Sequence, residues 1–144
     1  MREARQARVA AALAALVFAG ALAACGSPEG PQPIAWDREP CAHCHMLISD
    51  PRFAAQLHTQ DGEVESFDDP GCLLARLEAR EPSVRALWFH HVREERWIPG
   101  SEVAFERAER TPMDFGLGAV DAGTPGALSI EQARTQVAAG GRGR

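Results

Sequence analysis

Six residues, Cys41-Ala42-His43-Cys44-His45-Met46, constrain this chain more than any other stretch. They set two thiols, two imidazoles and a thioether side by side. Any fold must hold those groups at one point and bring further partners to them. Thiolate and thioether are the soft donors that select Cu(I), while imidazole suits several transition metals. The same residues contain Cys-x-x-Cys-His, the attachment signature of a c-type haem. The residues alone leave four readings: a copper ion, a haem c, a zinc ion, or a plain disulfide.

What precedes the cluster bears on where it works. Residues 1–24 read as an export signal, with Arg2, Arg5 and Arg8 ahead of an apolar run from Val9 to Ala24. That run is too short and too rich in Ala for a membrane-spanning helix. It ends in Leu22-Ala23-Ala24-Cys25-Gly26, which resembles a lipobox, the site where bacterial lipoproteins are cut and acylated. The resemblance makes Cys25 the lipid-bearing mature N-terminus; the plain alternative is ordinary cleavage near Ala24, with Cys25 a spare thiol. No acidic residue follows Cys25 directly, which favours the outer membrane, on its periplasmic side. Residues 25–39, rich in Pro, Gly and Ser, are expected to form a flexible tether, with Trp36 able to dock on the domain. Residues 40–139 form one modest domain, and 140–144 a frayed tail.

The formal net charge is −5, and because the leader is basic the remainder is more acidic still. An acidic chain without a basic run is a poor binder of nucleic acid. Beyond the leader and Cys25, the cysteines are Cys41, Cys44 and Cys72. In an oxidising compartment an odd number leaves at least one free, metal-bound or paired with another molecule.

Hydrophobic alternation predicts strands over Phe53–His58 and Val64–Phe67, joined at Asp61-Gly62. Asp68-Asp69-Pro70 then opens a helix with Leu73, Leu74 and Leu77 on its apolar stripe and Cys72 in its first turn. A second unit starts with a strand at Val84–Val92 and a short partner at Arg96–Ile98. Val103–Arg107 reads as a strand or a helical turn. Phe115–Val120 reads as a Gly-spaced strand close to another backbone, and Asp121–Gly126 as a turn. Ser129 opens a last helix to Ala139. The expected architecture is a small α+β domain of two strand-strand-helix modules, antiparallel sheets with helices packed on them.

Cys41-x-x-Cys44-x-Met46, Phe67-Asp-Asp-Pro-Gly and Thr111-Pro112-Met113-x-Phe115-Gly116 occur together in one lipoprotein-like chain. This set resembles the NosL family of membrane-anchored copper chaperones, over roughly residues 40–138. The resemblance implies two small strand-and-helix modules and Cu(I) held by Cys44, Met46 and Met113. It implies Cys41 as a further ligand or as a redox partner of Cys44. It also implies delivery to a copper-dependent target enzyme, the nitrous oxide reductase, beside membrane assembly factors. The family usually has Gly where this chain has His45, and often Gly where it has Asp114. The first departure adds a fifth possible donor, His45, and creates the haem-like triplet.

Other groups have plainer readings. Cys72 reads as a small buried hydrophobe, although at a helix start its pKa can fall. His43 reads as exposed, and His58, His90 and His91 lack metal spacing. Structural zinc wants four Cys or His ligands, commonly in two pairs, and only one pair is present, although Cys72 and a histidine can complete a set. Small cytochromes wrap haem in helices, whereas here a hairpin pattern follows Met46. No Ser-His-Asp or paired-carboxylate arrangement points to an enzyme. The Cys-x-x-Cys also lacks the βαβ setting of a thioredoxin-like motif, leaving thiol–disulfide exchange as a lesser alternative.

Overall fold

The computed structural model describes residues 29–79 and 83–140. The expected export signal over residues 1–24, the expected lipid-bearing Cys25 and residues 141–144 lie outside the described residues. Among the described residues the fold is α+β, with two antiparallel sheets and two α-helices.

The first sheet has the order β2-β1-β3-β4, built from β1 (Ala55–Thr59), β2 (Val64–Phe67), β3 (Val84–His90) and β4 (Trp97–Pro99). Ala55 faces Phe67 on one side and Phe89 on the other, and Phe89 faces Ile98. Alternation therefore lines these residues and Leu57 up on one face. That face is the core side, and Leu57, Phe67 and Phe89 are fully buried there. Helix α1 (Pro70–Ala79) buries Leu73, Leu74 and Leu77 in the same cluster. The expected strand start at Phe53 is instead a 3-10 turn over Pro51–Phe53, capped by the Asp50 carboxylate accepting from Arg52 N.

The second sheet has the order β6-β5-β7, with β5 (Val103–Arg107), β6 (Leu117–Asp121) and the short β7 (Leu128–Ser129). Helix α2 (Ile130–Ala138) follows β7 directly. Ser129 caps it by accepting from Gln132 N while the Gln132 side chain accepts from Ser129 N, a reciprocal box that satisfies two otherwise orphaned donors. The sheets meet where Phe89 and Phe105 pack edge to face at 5.1 Å and where Val92 N donates to Ala119 O.

Beyond shifts of one or two residues at strand ends, two larger placements differ from what the sequence predicts. Val84–Val92 was expected to begin the second module, but β3 and β4 complete the first sheet instead. Pairing with β1 covers an otherwise open edge, an advantage that local pattern cannot reveal. The segment expected to be a tether also packs on the domain from Gln32 onwards. Gln32 N donates to Gln56 Oε1 at 2.7 Å, Gln56 Nε2 donates back to Gln32 O, and Ile34 is buried in the core.

Candidate metal centre

The six-residue cluster folds as a tight turn. Pro40 and Leu47 form an antiparallel bridge, Cys41 N donates to Met46 O at 2.8 Å, and His45 N donates to Cys41 O at 3.0 Å. Closing the turn needs left-handed backbone, and His45 adopts it with φ of 63°. Ala42 N donates to Ser66 O, which fastens the turn to β2. The turn thus lies against the strand that leads into α1.

That placement brings Cys72, at the start of α1, to the Cys-x-x-Cys pair. The sulfurs of Cys41, Cys44 and Cys72 all lie within 4.8 Å of one another, and all three are free thiols. Cys41 and Cys72 are fully buried and Cys44 is half-buried. Metal–thiolate bonds of about 2.3 Å put the edges of a three-sulfur set near roughly 4 Å, so a modest contraction fits these sulfurs to one ion. The three cysteines therefore form a candidate metal site for an ion such as copper or zinc. Cys72 is as buried as the sequence suggested, but its sulfur faces two other thiols rather than an apolar wall. The odd cysteine count was the one signal pointing to it.

The electrostatics favour a thiolate at the inner end. Cys41 is pulled down to about 4, first by the Cys72 thiol donating to it, against burial. Backbone N–H groups of Cys44, Asp68 and His43 add to the pull. A sulfur ringed by amide donors carries negative charge without a neighbouring cation. Cys72 is pushed up, chiefly because its proton is held in the bond to Cys41. Burial pushes Cys44 up as well, against the donating N–H of Met46.

Two aspartates brace this end. Asp68, nearly fully buried, accepts from Ser49 N through Oδ1, and burial raises its pKa. Asp69 caps α1, accepting from Gly71 N at 2.8 Å through Oδ1, while its Oδ2 accepts from Met113 N at 3.0 Å. The Thr111 hydroxyl also bonds Asp69, yet burial dominates and raises the carboxyl's pKa.

The remaining expected donors are placed less uniformly. Met46 is 60 % exposed beside the half-buried Cys44, and His45 is exposed on the turn. Met113 is half-buried against the core, in the loop between β5 and β6. A groove of about 400 Å³ is shared by Met46, Leu47, Phe53, Asp68, Thr111 and Pro112, so the turn and the Met113-bearing loop border one opening. His43, read as exposed, is half-buried on the same turn. The histidines beyond the turn are occupied elsewhere: His58 is buried by Gln56 and Arg85, and His90 stacks edge-on against Trp97. His91 Nδ1 accepts from Arg93 N and Glu94 N.

The fold and site together define a small α+β domain with a three-cysteine candidate metal centre. Compared with known proteins, the chain matches no family model, no curated protein and no solved structure.

Proposed function

We propose that the protein is a lipid-anchored periplasmic carrier of one Cu(I) ion, akin to the NosL chaperones, which passes copper to a cuproenzyme such as nitrous oxide reductase. The observation that carries this reading is the meeting of Cys41, Cys44 and Cys72 sulfurs within 4.8 Å; Met46, two residues after Cys44 in the same turn, is exposed. Among the described residues no His, Asp or Glu joins the cluster. Three soft donors suit Cu(I), which accepts low coordination, better than structural zinc, which takes four ligands. The haem reading fares worse, since thioether attachment through a fully buried Cys41 would require the core to open.

Two further features support kinship with the NosL chains. The positions where those chains commonly carry Gly are His45 and Asp114, and both adopt left-handed backbone, with φ of 63° and 57°. Gly reaches such angles without strain, and this chain meets the same geometry with His and Asp.

Transfer follows from the asymmetry of burial. Cys41 and Cys72 hold the ion from within, while Cys44 and Met46 lie where a target's donor reaches them. An incoming thiolate or thioether displaces the outer ligands one at a time, so the ion is never bare. Export and the lipid on Cys25 keep the carrier at the membrane.

The test is titration of the reduced protein with Cu(I) in competition with a chromophoric Cu(I) chelator. One equivalent bound tightly, and weakened by Cys72→Ser, is the expected result. Chelator retention of all the copper would remove this reading.

A further inference from the structure

We propose that Asp69 is a positioning residue that couples the Met113 loop to the Cys72 helix, so that thiols and loop engage the metal as one unit. This deepens the Cu(I) reading above and rests on it.

The carboxylate is fully buried and its two oxygens serve different parts of the molecule. Oδ1 takes the N–H of Gly71 and so caps the helix whose first turn carries Cys72; Oδ2 takes the N–H of Met113, from a residue 44 positions away in the chain. The Asp69 carbonyl also accepts from Cys72 N at 2.9 Å. One residue thus touches the backbone of both Cys72 and Met113. A second contact reinforces the pairing. A Cβ built on Gly71 would lie 2.0 Å from Phe115 Cγ, so the Phe115 ring occupies the space that a side chain there would need.

The loop itself is self-closed. Ala108 N donates to Gly116 O, Asp114 N donates to Thr111 O, and Gly116 N donates to the Thr111 hydroxyl. Asp114 and Gly116 both take left-handed backbone. A loop of this kind moves as a body, and its attachment to α1 is the Asp69 carboxylate together with the Phe115–Gly71 contact. Helix capping alone needs one acceptor oxygen, which Ser supplies as well as Asp. The second oxygen is what the loop requires, and an isolated buried carboxylate would otherwise be costly.

The deciding variant is Asp69→Ser, which keeps a cap for α1 but cannot reach Met113 N. The probe is Cu(I) added to the reduced full chain carrying methyl-labelled methionine, read in two ways. Thiolate-to-copper absorption in the ultraviolet reports the cysteines, and the Met113 methyl resonance reports the loop. The wild type is expected to show both signals with one equivalent of copper. Asp69→Ser is expected to keep the absorption, lose the Met113 methyl response and bind roughly tenfold more weakly, in the range for removing an outer-shell support. In Met113→Ala the further change Asp69→Ser should then cost less than threefold. Retention of the methyl response in Asp69→Ser, or fully multiplicative losses, would overturn the coupling while leaving copper binding intact. A wild type that shows neither signal would overturn the copper reading and this inference with it.

Discussion

The inner wall and the outer rim of the centre are built on different principles. Cys41 and Cys72 are fully buried, joined to each other and backed by Asp69, equally buried, and Asp68, nearly so. Their positions come from long-range structure: the turn tied to β2 and the capped start of α1. Cys44, His45, Met46 and Leu47 belong to a single turn, with Met46 and Leu47 at 60 % and 51 % exposure. Packing fixes sulfur geometry, and the hydrogen bonds within it hold Cys41 as a thiolate against the cost of burial; exposure lets ligands be exchanged. The proposed copper transfer needs both, and this molecule separates them by depth.

Breaking the inner wall should have the largest effect. Structural zinc sites of four ligands bind with roughly 10–16 kcal/mol, about 3 kcal/mol per ligand, and on that scale Cys72→Ser should weaken Cu(I) binding by about a hundredfold or more. Competition titration measures this, and a loss below tenfold would show that Cys72 is not a ligand.

Stability should follow the same depth. Gly71→Ala drives a methyl into the Phe115 ring, and overpacking of this kind costs roughly 1–3 kcal/mol. Urea unfolding of the metal-free protein should report it. Unchanged stability would mean that the Phe115 contact yields freely and does not hold the loop.

The pH response should isolate Cys41. Its pKa in the folded protein is lowered from the ordinary 9.0 to about 4. A depressed pKa contributes stability that is fully present above the unfolded value and is lost as pH falls through the folded one. The contribution of Cys41 should therefore decline from about pH 9 toward pH 4 and be absent below that. Ultraviolet thiolate absorbance of the reduced, metal-free protein should show one thiolate at neutral pH that bleaches on acidification. Absorbance arising only in alkaline solution would contradict the polarised inner wall.

Met46→Ala should do least to the fold, since the side chain is mostly exposed: within about 0.5 kcal/mol by unfolding. Its mark should be kinetic, as altered copper transfer to a competing chelator. A large loss of stability would place Met46 on the wrong side of the comparison.

The rim was legible in the sequence because it is local. Six consecutive residues carry its donors, and their turn closes over Cys41 to Met46. Local signals also located the Ser129 cap, which uses Gln132 three residues on, and α1 behind Asp68-Asp69-Pro70. Of the inner wall, Cys41 was legible in the same cluster, but Cys72 was not, because it reaches Cys41 only after β2 and α1 pack. A lone cysteine in an apolar stripe looks the same whether its sulfur meets leucine or thiol. The placement of β3 was hidden for a similar reason: alternation identifies a strand but not its neighbour. Gln32 and Ile34 sit in a Pro-rich stretch whose composition suggests a tether, and only the partner Gln56 on β1 reveals that it is packed.

The measurement that bears most directly on the account is X-ray absorption at the copper edge of the reduced protein loaded with one equivalent of Cu(I). A first shell made of sulfur is expected, with three thiolate neighbours in the wild type and one fewer in Cys72→Ser. A shell dominated by nitrogen or oxygen, or a sulfur count unchanged in Cys72→Ser, would contradict it.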